Sequence, residues 1–331
     1  MVKTTSPLHT PLCDLLGCQF PIMLAGMGGV ARHRLASAVA NAGGFPVLGM
    51  VREPCERMRF EIAALKQQCI TPFAVNLIPA ATDSSLLKAQ VSLCIELDVP
   101  FIALFWDIDK KLIHQLKFEG CKIIHQVGNR KDAEAALDAG VDVLIAQGQE
   151  AGGHVRGKVS SLPLLAELLP ISPIPVVAAG GIGNGKSIAA ALTLGAQGVS
   201  LGTAFLATTE ANAHEHHKQR IIKANANDTV YTTQFHRNWH EPAPVRVLAN
   251  AITRGERIDS NKQDHPIVIG YQDNQSIHLC STDSPLTDAI GAIDDMALYS
   301  GQSCGQIAKV TSVKQRVDAL VTEAKLALKF P

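Results

Sequence analysis

The chain has no long hydrophobic run: no uninterrupted apolar stretch among its 331 residues approaches the roughly 20 that a bilayer-spanning helix needs. Nothing in it reads as a membrane span. Its first residues, Met1-Val2-Lys3-Thr4-Thr5-Ser6-Pro7, carry no apolar core of the secretory kind. The eight cysteines are scattered without Cys-x-x-Cys spacing, the pattern of reduced, mostly buried thiols in a cytoplasmic protein. Excess charge of either sign is missing too, since 30 basic residues balance 30 acidic ones, so no nucleic-acid footprint is expected. What remains is a well-buried globular composition, 47% hydrophobic and 18% charged. The length suits one α/β barrel, about 250 residues in its usual form, plus an insertion.

Strand-like apolar runs recur at Phe20–Leu24, Phe45–Leu48, Phe73–Leu77, Phe101–Phe105, Lys122–His125, Val141–Ile145, Val176–Ala179 and Val199–Leu201, with helix-length segments between most of them. Gly43-Gly44 and Gly140 stop the helices predicted at Arg34–Ala42 and Arg130–Ala139. Ala139-Gly140-Val141-Asp142 has a near-copy at Leu194-Gly195-Ala196-Gln197-Gly198-Val199, each closing a helix and opening a strand. This repeating unit predicts an α/β fold, a parallel (β/α)₈ TIM barrel, with an open doubly wound sheet as the alternative. After Leu201 the rhythm breaks. Residues 1–207 are read as the barrel, 208–285 as a small inserted lid and 286–331 as a return that packs on the barrel. Within the last two parts the expectations are a helix over Ala211–Ala224, mixed loop and helix over Asp228–Asn250, a weak hairpin or extended arm over Pro266–Cys280 and an amphipathic helix over Val310–Leu328.

The stretch Ala146-Gln147-Gly148-Gln149-Glu150-Ala151-Gly152-Gly153-His154 follows the sixth strand-like run. In parallel sheets, ligands and catalytic groups collect in the loops after strand carboxyl ends. Gly152 and Gly153 let backbone approach a flat ligand closely, and His154 then lies over it. Pro175 to Gly185 is a strand entering a glycine-rich turn and then the helix Ser187–Leu194. Backbone N–H groups at such a turn, backed by the helix N-terminus, form an anion seat. The spacing Gly181-x-Gly183-x-Gly185 is not the dinucleotide fingerprint. In a barrel, the loops after the seventh and eighth strands share one phosphate, which pairs this turn with Leu201-Gly202-Thr203. Asn76, an amide in an apolar strand end, is a ring partner or a turn residue. Glu150 is expected to orient its loop by accepting backbone N–H bonds. Trp106 is a candidate pocket wall. His214-x-His216-His217 invites a metal reading but is read as a solvated helix face, and His33, His125, His236 and His240 form no ligand pattern.

Several segments together resemble nitronate monooxygenases, formerly called 2-nitropropane dioxygenases. They are Pro21 to Met27, Phe73 to Leu77, Ala146 to His154, Ala179-Gly180-Gly181-Ile182, Leu201 to Phe205 and Ala297 to Gln302, and the likeness runs from about Leu12 to Ala308. The resemblance implies an FMN-binding TIM barrel with a small inserted domain. It also implies membership of a wider group that includes flavin-dependent enoyl-acyl-carrier-protein reductase and an NADH:quinone reductase.

The resemblance also implies roles. Ala25, Gly26 and Met27 lie along the flavin, Asn76 contacts its ring or ribityl chain, and Gln126 hydrogen-bonds near the pyrimidine side without bringing a cation. Gly152 and Gly153 lie beside the ring. Gly180, Gly181, Gly202 and Thr203 cradle the phosphate, and Tyr299, Gly301 and Gln302 close over the cofactor. His154 is the active-site histidine, its imidazole near its free pKa and able to take a proton from an acidic carbon or, protonated, to stabilise the anion that results. No metal is called for. The implied reaction is oxidation of alkyl nitronates by O₂ to carbonyl compounds and nitrite, with a nitronate or nitroalkane and O₂ as small-molecule partners, no nucleic acid or membrane, and a homodimer as a possible assembly. NAD(P)H-dependent reduction of quinones or enoyl thioesters is the alternative on the same scaffold.

Overall fold

A computed structural model describes residues 8–239, 243–258 and 266–329. The N-terminal heptapeptide, His240 and the Glu241-Pro242 pair lie outside the described residues. The first nine strands are β1 (Ile22–Leu24), β2 (Val47–Gly49), β3 (Ala74–Leu77), β4 (Phe101–Phe105), β5 (Lys122–Val127), β6 (Val143–Gln147), β7 (Gly153–His154), β8 (Val176–Ala179) and β9 (Gly198–Leu201). All but β7 join one parallel sheet in the order β1-β9-β8-β6-β5-β4-β3-β2. Its two ends meet through Phe45, whose N–H donates to Ile22 O at 2.8 Å and whose carbonyl accepts from Leu24 N at 3.0 Å, just ahead of β2. The sheet closes into the expected barrel.

Barrel strands are buried on both faces and so read as continuous apolar runs, which is why they were legible; every residue of β4, β6, β8 and β9 is buried. The sixth strand begins two residues later than predicted. The Asp142 carboxylate accepts from Ile123 N at 2.7 Å and pairs with Lys117 at 2.8 Å, which assigns Val141-Asp142 to the turn and brings Gln147 into the strand. Asn129, Asn184 and Ser312 cap the helices Arg130–Asp138, Gly185–Leu194 and Val313–Ala327. The last of these packs between the helices Gly185–Leu194 and His33–Asn41 and completes the outer ring. At the opposite pole, Leu12 of the short helix Pro11–Leu16 lies against the start of β9.

The segment after the barrel differs from the mixed loop and helix expected over Asp228–Asn250. It folds as β10 (Thr229–Thr232) antiparallel to β11 (Val245–Leu248), and β11 pairs in turn with β7, Val245 facing His154. The β-branched residues Thr229, Val230, Thr232, Val245 and Val247 carry the strand preference that the polar surroundings masked. The helix expected over Ala211–Ala224 spans Glu215–Lys223. The expected hairpin is β12 (Val268–Gln272) and β13 (Gln275–His278), turned by Asp273 and Asn274 at φ 46° and 59°, and β14 (Ile290–Gly291) extends it. Phe235, Val245, Val247, Ile277 and Met296 belong to an apolar cluster separate from that of the barrel. Among the described residues no helix is long and apolar enough to cross a membrane.

Candidate active site

A cavity of about 1040 Å³ opens at the carboxyl ends of the barrel strands. Ala25, Gly26 and Met27 line it beyond β1, Asn76 from β3 and Gln126 from β5. Gly152, Gly153 and His154 enter from the loop after β6, Gly180 and Gly181 from beyond β8, and Gly202 and Thr203 from beyond β9. Tyr299 and Gly301 close it from the returning chain. Gln302 does not line it: its backbone N–H donates to Glu150 O at 2.9 Å, outside the wall.

The local backbone explains the glycines. Gly180 and Gly181 lie at φ +95° and +75°, left-handed conformations that side chains resist, and a Cβ on Gly181 would meet no protein atom closer than 3.5 Å. A Cβ on Gly180, by contrast, would fall 2.9 Å from Gly148 O, so that glycine also serves a close approach. Gly26 serves a close approach, since a Cβ there would fall 2.5 Å from Asn76 Cγ. Asn76 can then donate from Nδ2 to Ala103 O at 3.0 Å while its buried Oδ1 is left without a partner. An orphaned buried acceptor costs free energy unless a ligand supplies the donor. The anion seat is narrower than the sequence implied. The Gly185–Leu194 helix N-terminus already serves protein acceptors: Gly183 N donates to Gln306 Oε1 at 3.0 Å, Gly185 N to Glu323 Oε2 at 2.9 Å and Ser187 N to Asn184 Oδ1 at 2.9 Å. The turns at Gly180-Gly181 and Gly202-Thr203 remain.

His154 is held from both sides of the chain. Gln147 donates from Nε2 to His154 O at 2.8 Å and accepts from Arg156 N at 3.2 Å, so one buried amide straddles the strand that carries the imidazole. Glu150 does orient its loop, accepting from Ser161 N at 3.0 Å and Ser161 Oγ at 3.2 Å. The imidazole stacks on Trp239 with centroids 4.0 Å apart at 24°, and meets Trp106 and Tyr299 at 6.2 and 6.0 Å. Trp106, at φ +84°, stands behind His154 rather than lining the cavity, with the Arg156 guanidinium over its ring. Nε2 of His154 is buried and unpartnered. Burial, with the Arg52 charge adding to it, pushes the imidazole pKa down to about 3, so the ring is neutral and not near its free pKa as the sequence reading held. Tyr299 spends its hydroxyl on Thr282 O at 2.7 Å, and burial raises its pKa.

The His214–His217 segment is not wholly a solvated face. His217 is fully buried, its Nε2 3.0 Å from Tyr299 O and its pKa lowered by burial to about 4; the polar helix face turns inward against the returning chain. No metal-holding group of three ligands occurs among the described residues. Trp239, Arg52 and Ser284 also line the cavity and carried no motif signal; Gln147, inside the Ala146–His154 stretch, lines it too but was given no role of its own.

The sequence model of the nitronate monooxygenase family matches residues 9–323. The chain belongs to that family. It is 35% identical to the (3aS,4S,5R,7aS)-5-hydroxy-7a-methyl-1-oxo-octahydro-1H-indene-4-carboxyl-CoA dehydrogenase of Mycobacterium tuberculosis, covering 77% of this chain and 70% of that protein. It is 32% identical to a probable nitronate monooxygenase of Staphylococcus saprophyticus, covering 78% and 84%. Among solved structures, FabK from Thermotoga maritima superposes with a TM-score of 0.82 at 30% identity over 97% of both chains. A nitroalkane oxidase from Streptomyces ansochromogenes superposes at 0.77 and 26% identity over 96% and 98%. This nitronate monooxygenase family member is a flavin-dependent oxidoreductase built on a TIM barrel.

Proposed function

We propose that the enzyme is an FMN-dependent nitronate monooxygenase that oxidises alkyl nitronates with O₂ to carbonyl compounds and nitrite. The observation that carries this reading is His154 at the wall of the cavity, its Nε2 buried and without a protein partner, together with the unpartnered Asn76 Oδ1 and Ser284 Oγ of the same wall. The residues fit the cofactor: Gly180, Gly181, Gly202 and Thr203 would hold its phosphate, Asn76 and Gln126 its polar ring or ribityl groups, and Ala25 to Met27 its flat face. Bound there, FMN supplies the electron acceptor for the substrate and the electron donor for O₂.

The protein's own part is proton placement and exclusion of water. A neutral imidazole with a free nitrogen accepts a carbon-bound proton from a nitroalkane, and the resulting imidazolium lies beside the nitronate it created. In a site of low dielectric this ion pair supports the charged ring that burial alone disfavours. A preformed nitronate skips that transfer and needs only a hydrogen-bond donor or cation, roles for His154 and for Arg52 at the cavity wall.

Thioester redox chemistry driven by or coupled to another donor is the second reading. The dehydrogenase relative is named for a CoA ester, and the cavity runs past the flavin seat to Arg52, Arg57 and the β12–β13 turn. His154→Ala tests the first reading. Oxygen uptake with a neutral nitroalkane should fall roughly 10²- to 10⁴-fold, the usual worth of a positioned base, and fall less with the preformed nitronate. Equal small losses on both remove His154 from the chemistry.

A further inference from the structure

We propose that Trp239, contributed by the inserted segment, is the specificity-determining residue of this site: it covers one face of His154 and limits the bulk that a substrate carries on its reacting carbon. Two rings at 4.0 Å and 24° are in van der Waals contact, because carbon atoms pack at about 3.5–4.0 Å, so nothing fits between them. The hydrogen-bonding direction of an imidazole nitrogen lies in the ring plane. A carbon that exchanges a proton with a ring nitrogen of His154 therefore arrives in that plane, edge-on, with Trp239 on one side of its path. An indole is larger than an imidazole and extends past its edge. Since both rings line the cavity, that overhang meets whatever substituents stand out of the plane. Slim, planar substrates pass beneath it, and branched or cyclic ones collide.

The indole is held for this task. Its edge packs on Trp106 with centroids 4.8 Å apart. The preceding residue, Asn238, lies at φ +74°, and Arg52 donates to its carbonyl at 3.2 Å while pairing with Asp283 at 2.9 Å. Barrel and insertion are thereby clasped next to the gate.

The choice of nitronates below rests on the proposed function, whereas the first measurement does not. Wild-type holoenzyme, Trp239→Ala and Trp239→Phe are treated with diethyl pyrocarbonate and with the bulkier di-tert-butyl dicarbonate, both of which acylate imidazole nitrogen, and the peptide carrying His154 is followed by mass spectrometry. Wild type should favour the small reagent, Trp239→Ala should lose that preference by about 10-fold or more, and Trp239→Phe should retain most of it. Trp239→Leu replaces the alanine variant should the latter not retain flavin. In parallel, the kcat/KM ratio of the nitrocyclohexane nitronate over that of nitroethane should rise roughly 10- to 100-fold in Trp239→Ala, the range that steric fit supplies. An unchanged small-to-large acylation ratio in the truncated variant overturns the proposal. A changed acylation ratio with no turnover of any nitronate in wild type upholds the gate and rejects the nitronate reading.

Discussion

His154→Phe should make the protein more tolerant of acid. Phenylalanine keeps a ring against Trp239 and removes the imidazole that titrates there. In the unfolded chain the imidazole titrates near 6.5, whereas burial holds it at about 3 in the fold. Between those values the unfolded state binds a proton that the folded state refuses, so stability is full above pH 6.5 and is lost as pH falls toward 3. At about 1.4 kcal/mol per pH unit, going from pH 7.5 to pH 5 costs this one group about 2 kcal/mol. His217, with a folded pKa of about 4, adds a loss of the same sign and similar size, but it is common to wild type and variant and cancels in the comparison. Both tryptophans of the chain pack around His154, so intrinsic fluorescence follows urea unfolding at the site itself. The measurement is the unfolding free energy at both pH values with FMN in constant excess. Wild type should lose about 2 kcal/mol more than His154→Phe over that interval. Equal losses would refute the claim that the imidazole is buried and neutral.

Gly202→Val should fold, because a Cβ there meets only ordinary contacts, Ala25 Cβ at 3.7 Å and Met27 Sδ at 3.8 Å. By blocking one or two charge-assisted bonds at ~1.5–3 kcal/mol each, it should weaken FMN binding by about 10-fold or more in a flavin-fluorescence titration; unchanged affinity would move the phosphate elsewhere. Gly181→Ala, placed at φ +75°, should cost about 1–2 kcal/mol of stability in urea unfolding even without cofactor, a strain that an unshifted midpoint would deny. Gln147→Leu removes both bonds that locate the His154 strand and should lower kcat on a neutral nitroalkane by about 10-fold or more while flavin content is retained, since small misplacements of a reacting group are costly. Wild-type kcat in that variant would show that β11 alone positions β7.

The barrel was legible because its strands are short, apolar and separated by helices with glycine stops, a pattern that few other folds produce. Gly180-Gly181 and the Gly152-Gly153-His154 run were legible for a local reason, backbone geometry that only glycine tolerates next to one polar side chain. The segment after the barrel resisted because most of its strands are only partly buried, as at Tyr231 and Thr232, and because the antiparallel partner of His154, Val245, is 91 positions away in sequence. Pairing at that distance leaves no periodic trace. Trp239 was missed for the same reason, since its contact with His154 exists only once the segment after β9 folds against the loop after β6. His217 was misread because its helix is polar by composition, and nothing in the sequence shows that the Tyr299 carbonyl waits to receive its Nε2.

The central claim is that nitronates, not pyridine nucleotides, deliver electrons to the flavin of this site. Anaerobic mixing of the purified holoenzyme with the nitronate of nitroethane and, separately, with NADH and with NADPH tests it most directly, read by loss of flavin absorbance. The account predicts bleaching by the nitronate within the turnover time and none by either nucleotide. Bleaching by NADH or NADPH with the nitronate inert would contradict it and assign the site to reductase chemistry.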